Sequence, residues 1–297
     1  MSEAPDDRVD DCKHKGKRDA MPFAAQWPEP LLTSTANPRV KGVRALHRAP
    51  ERRARGLCLL EGVRLIETAL DAGARLVEVY VVPEFVTSER GRRLVDRLRK
   101  RAVPVRPVAE RVLRHMSDTQ EPQGIVATAA MQEASPEVFA GCTALVIADR
   151  ISDPGNLGTL VRTAAAAGAG LWATAGSADL YEPKVLRASM GTLFLVPHRQ
   201  RLTIAEAVAG VRTLGLTLVA ADAHGATEYS SMDWRRPFAL VIGSEAHGVS
   251  PGLREAAAQV VYLPMAPGVE SLNAAVTGAV LLFEAMRQRR ASAGRRL

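Results

Sequence analysis

The sequence predicts an α/β protein in two parts: a C-terminal domain on a parallel sheet, preceded by a smaller α/β domain. Two observations carry this. Runs rich in β-branched residues alternate with helix-period stretches twice along the 297 residues. In the second run the strand candidates, such as 143–149 (TALVIAD), are apolar without polar alternation, the pattern of strands covered on both faces. Composition agrees, since 47% hydrophobic and 24% charged residues make a globular chain. No apolar run approaches the roughly 18 residues of a membrane span. The opening MSEAPDDRVDDCKHKGKRDA has no apolar segment of the secretory kind. Cys12, Cys58 and Cys142 lie far apart with no CxxC, which speaks against a disulfide framework or a zinc site and for a reducing cytoplasm.

Residues 1–33 mix both charge signs with Pro22, Pro28 and Pro30 and are expected to be disordered. Asn37-Pro38 offers a helix start, and Val40, Val43 and Leu46 continue it over 38–48. An apolar run at 57–60 (LCLL) precedes a helix over 62–72, which Gly73 ends. A strand follows at 76–82, a helix at 88–101, and strands at 103–106 and 125–129. The first domain therefore spans 34–130, and 131–141 (MQEASPEVFAG) is a linker. Within 142–297, strands are expected at 143–149, 171–174, 193–196, 216–221 and 238–242. Helices are expected over 157–167, 203–213 and 271–289. No internal repeat is apparent.

The net charge of +7 is unevenly spread. Residues 37–130 hold 19 basic and 11 acidic side chains, whereas 131–297 hold 15 and 14. Arg39, Lys41, Arg44, Arg48, Arg52, Arg53 and Arg55 fall within 17 positions, and a second group runs from Arg90 to Arg101. One such group alone is as readily a solvated helix face; two in one segment point to a polyanion. Aromatics make up only 4%, which speaks against recognition by base stacking.

In an open parallel sheet, ligands bind beyond the carboxyl ends of the strands, so the turns there matter most. The first, Asp153-Pro154-Gly155-Asn156-Leu157-Gly158-Thr159-Leu160-Val161-Arg162, is neither GxGxxG nor a P-loop. Taken alone it is a capped helix, with Asn156 able to cap and Arg162 on the surface. The second is Gly243-Ser244-Glu245-Ala246-His247-Gly248, whose glycines suit close backbone approach to a ligand. Taken alone it is a tight turn with Glu245 as a cap, the reading favoured for that residue. In the third, 263–273, Ser271 and Asn273 can cap the last helix.

Together and in order, NLGTLVRTA (156–164), G-x-E-x-x-G (243–248) and LPM…G…ESLN (263–273) closely resemble the three motifs of the SpoU (TrmH-like) branch of the SPOUT RNA methyltransferases. Residues 187–197 are similar to another segment of that family. The segment 37–130, with LEGVR at 60–64, looks like the ribosomal-protein-like substrate-binding domain fused to such enzymes. The resemblance implies a trefoil knot in the C-terminal domain, a homodimer through it, and S-adenosylmethionine as cofactor. Gly243, Leu263 and Leu272 should hold that cofactor, with Ala221, Met265 and Ser271 nearby. The implied reaction is methyl transfer to a ribose 2′-hydroxyl of 23S ribosomal RNA. A transfer-RNA enzyme and a non-catalytic RNA-binding protein of the same fold are the alternatives.

The implied donor is a sulfonium, so no metal is expected; positioning and deprotonation remain. Arg162, Asn156, Glu245, Ser271 and Asn273 match the family's polar motif positions. Arg162 is either the proton acceptor or an anchor for an RNA phosphate, the second suiting a guanidinium better. Arg39, Lys41, Arg44, Arg48, Arg52, Arg53, Arg55 and Arg64 are the expected RNA contacts. Ala274-Ala275 departs from the family's frequent Val-Ser.

Overall fold

A computed structural model describes residue 27 and residues 29–293. The first helix, α1 (Pro38–Ala45), has Pro38 in its first turn and is capped by Asn37, whose Oδ1 accepts from the Arg39 N–H at 2.9 Å. The helix expected over 38–48 breaks here, and α2 (Ala49–Arg55) starts anew. Pro50 is the cause: a continuous helix would drive its ring into the carbonyl of Leu46 and leave that carbonyl unpaired. β1 (Leu57–Glu61), α3 (Val63–Asp71), β2 (Leu76–Val81), α4 (Glu89–Lys100), β3 (Val105–Pro107), α5 (Glu110–Met116) and β4 (Ile125–Ala130) complete this part. The sheet order is β1-β4-β2-β3, with only β2 and β3 parallel. The sequence reading missed α5, a helix of 7 residues that buries Val112, Leu113 and Met116.

Order starts before residue 34. Trp27 is buried under the Arg99 guanidinium, and Leu32 bridges Val108, so the expectation of disorder fails there. The rest of the expected disordered segment, 1–26 and 28, lies outside the described residues.

The second part runs β5 (Ala144–Asp149), α6 (Pro154–Ala167), β6 (Gly170–Thr174), α7 (Pro183–Ala188), β7 (His198–Leu202), α8 (Ile204–Thr213), β8 (Thr217–Ala221), β9 (Thr227–Glu228), β10 (Phe238–Gly243), α9 (Pro251–Ala256), β11 (Gln259–Tyr262) and α10 (Ala274–Ala293). Its seven strands are all parallel, in the order β7-β6-β5-β10-β8-β11-β9. Every residue of β5 is buried, as its unbroken apolar run requires. The strand expected at 193–196 is instead a 3-10 turn, Thr192–Leu195. The edge strand lies further on at His198–Leu202, where His198, Gln200 and Leu202 are buried in alternation. Its polar inward side chains disguised it. The last helix begins at Ala274 rather than 271.

The two parts share one apolar cluster, from Leu60, Leu65 and Ile66 to Tyr181, Leu186 and Leu193. Two charge pairs cross the junction. The Arg52 guanidinium, 1% exposed, donates to Asp179 Oδ2 at 2.7 and 3.2 Å and to the carbonyls of Leu46 and His47. Arg187 donates to Glu61 at 2.9 Å. Both Asp179 and Arg187 follow the carboxyl end of β6. The first part therefore docks on the crossover between β6 and the edge strand β7, and no residue of it lines the cavity described below.

Candidate active site

The carboxyl ends of β8, β10 and β11 enclose a cavity of about 430 Å³, within the range of small-molecule sites. Gly243 ends β10, and a Cβ there would lie 2.2 Å from the Gly248 carbonyl carbon. Only glycine lets the turn fold back this tightly. Gly248 closes it at φ +61°, its N–H donating to Ser244 O at 2.8 Å. Ser244, not Glu245, caps this turn, accepting from the His247 N–H at 3.2 Å. The expected capping role of Glu245 is thereby corrected.

The next stretch is tied down from below. Asp149, at the end of β5, is fully buried. Its Oδ2 accepts from the Ser250 N–H and hydroxyl, both at 2.6 Å, and its Oδ1 accepts from Thr174 at 2.9 Å. Arg150, at φ +55°, reaches the Gly248 carbonyl. Sequence reading missed Asp149; its signal was a lone carboxylate ending a wholly apolar run, a group that must be paired when buried.

Asn273 caps α10, where Ser271 had been an equal candidate. Its Oδ1 accepts from the N–H groups of Ala275 and Val276 at 2.9 and 3.3 Å. That fixes the amide, so Nδ2 must point outward; it donates to Asn156 Oδ1 at 2.9 Å and to Glu245 Oε1 at 3.3 Å. Asn156 Oδ1 being the acceptor, its own Nδ2 donates to Glu245 Oε1 at 2.5 Å. One helix cap thus sets the sense of all these hydrogen bonds. Asn156 is not itself a cap: Asp153 caps α6, accepting from the Asn156 N–H at 2.8 Å.

Ala221, Gly243, Leu263, Met265, Ser271 and Leu272 all line the cavity, as does Glu245. Asp222, also in the wall, pairs with Arg254; sequence reading had not singled it out. Arg162 stands apart. It is exposed on α6, six residues from Asn156, which is roughly 9 Å along the axis and on another face. The structure does not bring it to the Asn156–Glu245–Asn273 group within one chain.

The expected RNA contacts divide. Arg52 is withdrawn from the surface by its pairing with Asp179. Arg39 faces Glu78, and Arg55 pairs with Glu51. Lys41, Arg44 and Arg48 line one open cleft, while Arg53 and Arg64 are exposed. In the second basic group Arg90, Arg93 and Arg97 are matched by Glu67, Glu89 and Asp71, so the bland reading holds for those three.

The cavity fits the expected cofactor in its chemistry. Ile242, Leu263 and Leu272 supply apolar wall, and Glu245 and Glu270 supply negative charge suited to a sulfonium. Fold and site define a class: an α/β transferase whose cofactor is held by turns at the carboxyl edge of a parallel sheet. Residues 143–283 match the SpoU rRNA Methylase family, and residues 37–127 match the MRM3-like substrate binding domain. An uncharacterized tRNA/rRNA methyltransferase of Synechocystis is 38% identical over 86% of this chain and 93% of its own. The 23S rRNA (guanosine(2553)-2′-O)-methyltransferase RlmP of Bacillus subtilis is 30% identical over 85% and 97%. The solved structure of the SpoU methyltransferase AviRb from Streptomyces viridochromogenes with AdoMet has a TM-score of 0.77 at 31% identity, covering 86% of this chain and 98% of AviRb. The chain belongs to the SpoU rRNA methylase family and is an S-adenosylmethionine-dependent RNA methyltransferase.

Proposed function

We propose that this enzyme methylates a ribose 2′-hydroxyl of large-subunit ribosomal RNA, and that it does so as a homodimer in the cytoplasm. One observation carries the assignment: six residues named for the cofactor, from separate turns, line one cavity with the Asn156–Glu245–Asn273 group beside it. Residues 142–297 form the catalytic unit and 34–130 the substrate-recognition unit, joined by 131–141. The trefoil threading that the resemblance implies belongs to the catalytic unit.

Ala221, Gly243, Leu263, Met265, Ser271 and Leu272 would hold the cofactor, which supplies an activated methyl on its sulfonium. The chain's own residues orient the hydroxyl and receive its proton. Glu245 Oε1 is occupied by the two amides, while Oε2 has no partner among the described residues. Oε2 is thus the carboxylate oxygen free to accept from a ribose hydroxyl. Arg162 anchors an RNA phosphate, a task for which a permanently charged guanidinium is suited.

The proposed dimer accounts for the position of Arg162 away from its own cavity. α6 and α10 pack side by side, and α10 exposes Val276 and Phe283, 46% and 50% accessible, seven residues apart on one face. We infer that the partner's Arg162 completes this cavity when that face is covered. The test is transfer of labelled methyl from S-adenosylmethionine to unmodified large-subunit ribosomal RNA, with transfer RNA alongside. Label in ribosomal RNA, lost in Arg162→Ala, is expected; label confined to transfer RNA overturns the substrate assignment. A pH–rate profile of the same shape in Arg162→Ala and wild type is expected of an anchor, and an altered shape would make Arg162 the base.

A further inference from the structure

Residues 248–250 lead the chain out of the turn that Gly243 begins, and two consecutive side chains of opposite charge grip them. Asp149, the last residue of β5, accepts from the Ser250 N–H through Oδ2. Arg150, the next residue, donates through Nη2 to the Gly248 carbonyl at 3.4 Å. The anion takes a backbone donor and the cation a backbone acceptor, two positions apart on the same stretch. The Gly248 peptide also lies against Gly243: a Cβ on Gly243 would sit 2.2 Å from the Gly248 carbonyl carbon and 2.4 Å from its oxygen. Gly243 and Gly248 both line the cavity, so a shift of that carbonyl is a shift of the cavity wall.

Neighbouring side chains of an extended strand point to opposite faces, so a straight continuation of β5 could not aim both at one segment. Arg150 turns the chain at φ +55°, a left-handed conformation that is unfavourable for any residue with a Cβ. The loop after β6 holds it there. Thr174 Oγ1 accepts from the Arg150 N–H at 3.0 Å while donating to Asp149 Oδ1 at 2.9 Å. Ser177 Oγ accepts from the Ile151 N–H at 3.2 Å and donates to the Ala148 carbonyl at 3.1 Å. The Arg150 stem passes Gly176, where a Cβ would lie 3.3 Å from Arg150 Cγ. Its Nε is buried with no hydrogen-bond partner among the described residues, 3.8 Å from Asp149 Oδ1. Arg150 is thus the cation beside a fully buried carboxylate, and an arginine stands where glycine would be free of strain. Such strain points to a task for the side chain.

We propose that Arg150 is a positioning residue for the cofactor: its guanidinium fixes the Gly248 carbonyl, and through it the turn 243–248, in the form that binds S-adenosylmethionine. Arg150 is not among the residues lining the cavity, so it acts through Gly248. This rests on the reading that the cavity holds the cofactor. Arg150→Met keeps the stem beside Gly176 and removes the charge. Its dissociation constant for S-adenosylmethionine should rise about tenfold, the usual effect of losing one hydrogen bond from a charged donor. At saturating cofactor its methyl transfer rate should change less than about twofold, because the reacting groups are untouched.

The experiment titrates full-length wild type, Arg150→Met, Arg150→Lys, Arg150→Gly and Leu272→Asp with S-adenosylmethionine in a calorimeter. Melting temperatures are taken alongside, with methyl transfer to large-subunit ribosomal RNA at saturating cofactor. Arg150→Lys keeps a donor and is expected to recover most of the affinity. Arg150→Gly relieves the backbone but lacks the guanidinium; it should melt no lower than Arg150→Met and bind the cofactor as weakly. A residue that served stability alone would lose affinity in step with melting temperature. Wild-type affinity in Arg150→Met or in Arg150→Gly therefore overturns the proposal, as does a rate that falls at saturating cofactor while affinity stays. Leu272→Asp puts a charge into the cavity wall itself. Weaker binding there with wild-type affinity in Arg150→Met sinks Arg150 alone, whereas wild-type affinity in Leu272→Asp sinks the cavity assignment with it.

Discussion

Asn273 shows how one side chain serves helix and site together. Its carbonyl is spent on capping α10, so its amide is presented to Asn156 and Glu245 in one sense only. Asn273→Asp should keep the cap and gain from the helix dipole, while setting a carboxylate against Asn156 Oδ1 and Glu245. Thermal stability at or above wild type with methyl transfer down at least tenfold is expected. Equal loss of both would show that the network is only structural. Asp149 makes the opposite case. Asp149→Asn replaces one acceptor oxygen with a donor against Ser250 or Thr174, costing about 2 kcal/mol. Weaker cofactor binding should accompany it by calorimetry, because Ser250 follows directly on the turn that lines the cavity. His198 carries a pH dependence. Burial holds its imidazole below the ordinary range, with Nδ1 donating to Val196 O and Nε2 facing the Tyr181 hydroxyl. The unfolded chain then takes up a proton that the folded one refuses, so stability falls as pH drops below roughly 6.5. The melting temperature should fall between pH 7 and 5.5, and His198→Gln should flatten that part of the curve.

At the scale of elements, legibility followed how locally each was specified. β5 and β10 were plain, because unbroken apolar runs are local signals, whereas α6 was expected from 157 behind Asn156 and starts at Pro154 behind Asp153. The break between α1 and α2 was also written locally, in Pro50, but was overlooked for the continuing apolar spacing. The edge strand at His198–Leu202 was not legible. Its inward His198 meets the Tyr181 hydroxyl and Gln200 Oε1 accepts from the Leu180 N–H, partners distant in sequence, while Gln200 Nε2 is buried with no partner among the described residues. The motif residues were found, yet which of several caps each helix uses depended on geometry, as Asp153 and Asn273 show. The exposed face of α10 gives a test at this scale. Phe283→Asp places a charge on an apolar face that the proposed dimer covers. The variant should sediment as a folded monomer and lose methyl transfer; an unchanged mass in analytical ultracentrifugation would remove α10 from the interface.

At the scale of the molecule, the parts are joined by burial as much as by sequence. Removing one member of the Arg52–Asp179 pair leaves a charge uncompensated inside, at a cost of about 3–5 kcal/mol. Asp179→Ala should therefore lower the melting temperature markedly, and Arg52→Met/Asp179→Leu should recover much of the loss. Sequence reading placed Arg52 among the surface cations because nothing nearby reveals a partner 127 positions away. The shared apolar cluster further implies a single calorimetric transition rather than two. A seat this closed also turns the first domain into a measuring arm. The separation between the first domain and the proposed methyl site is then a property of the protein, and target choice becomes a matter of span. An RNA accepted by such an enzyme should span both parts at once, whatever bases lie between. Lengthening an intervening RNA helix should silence the original nucleotide, where a reader of sequence would follow it.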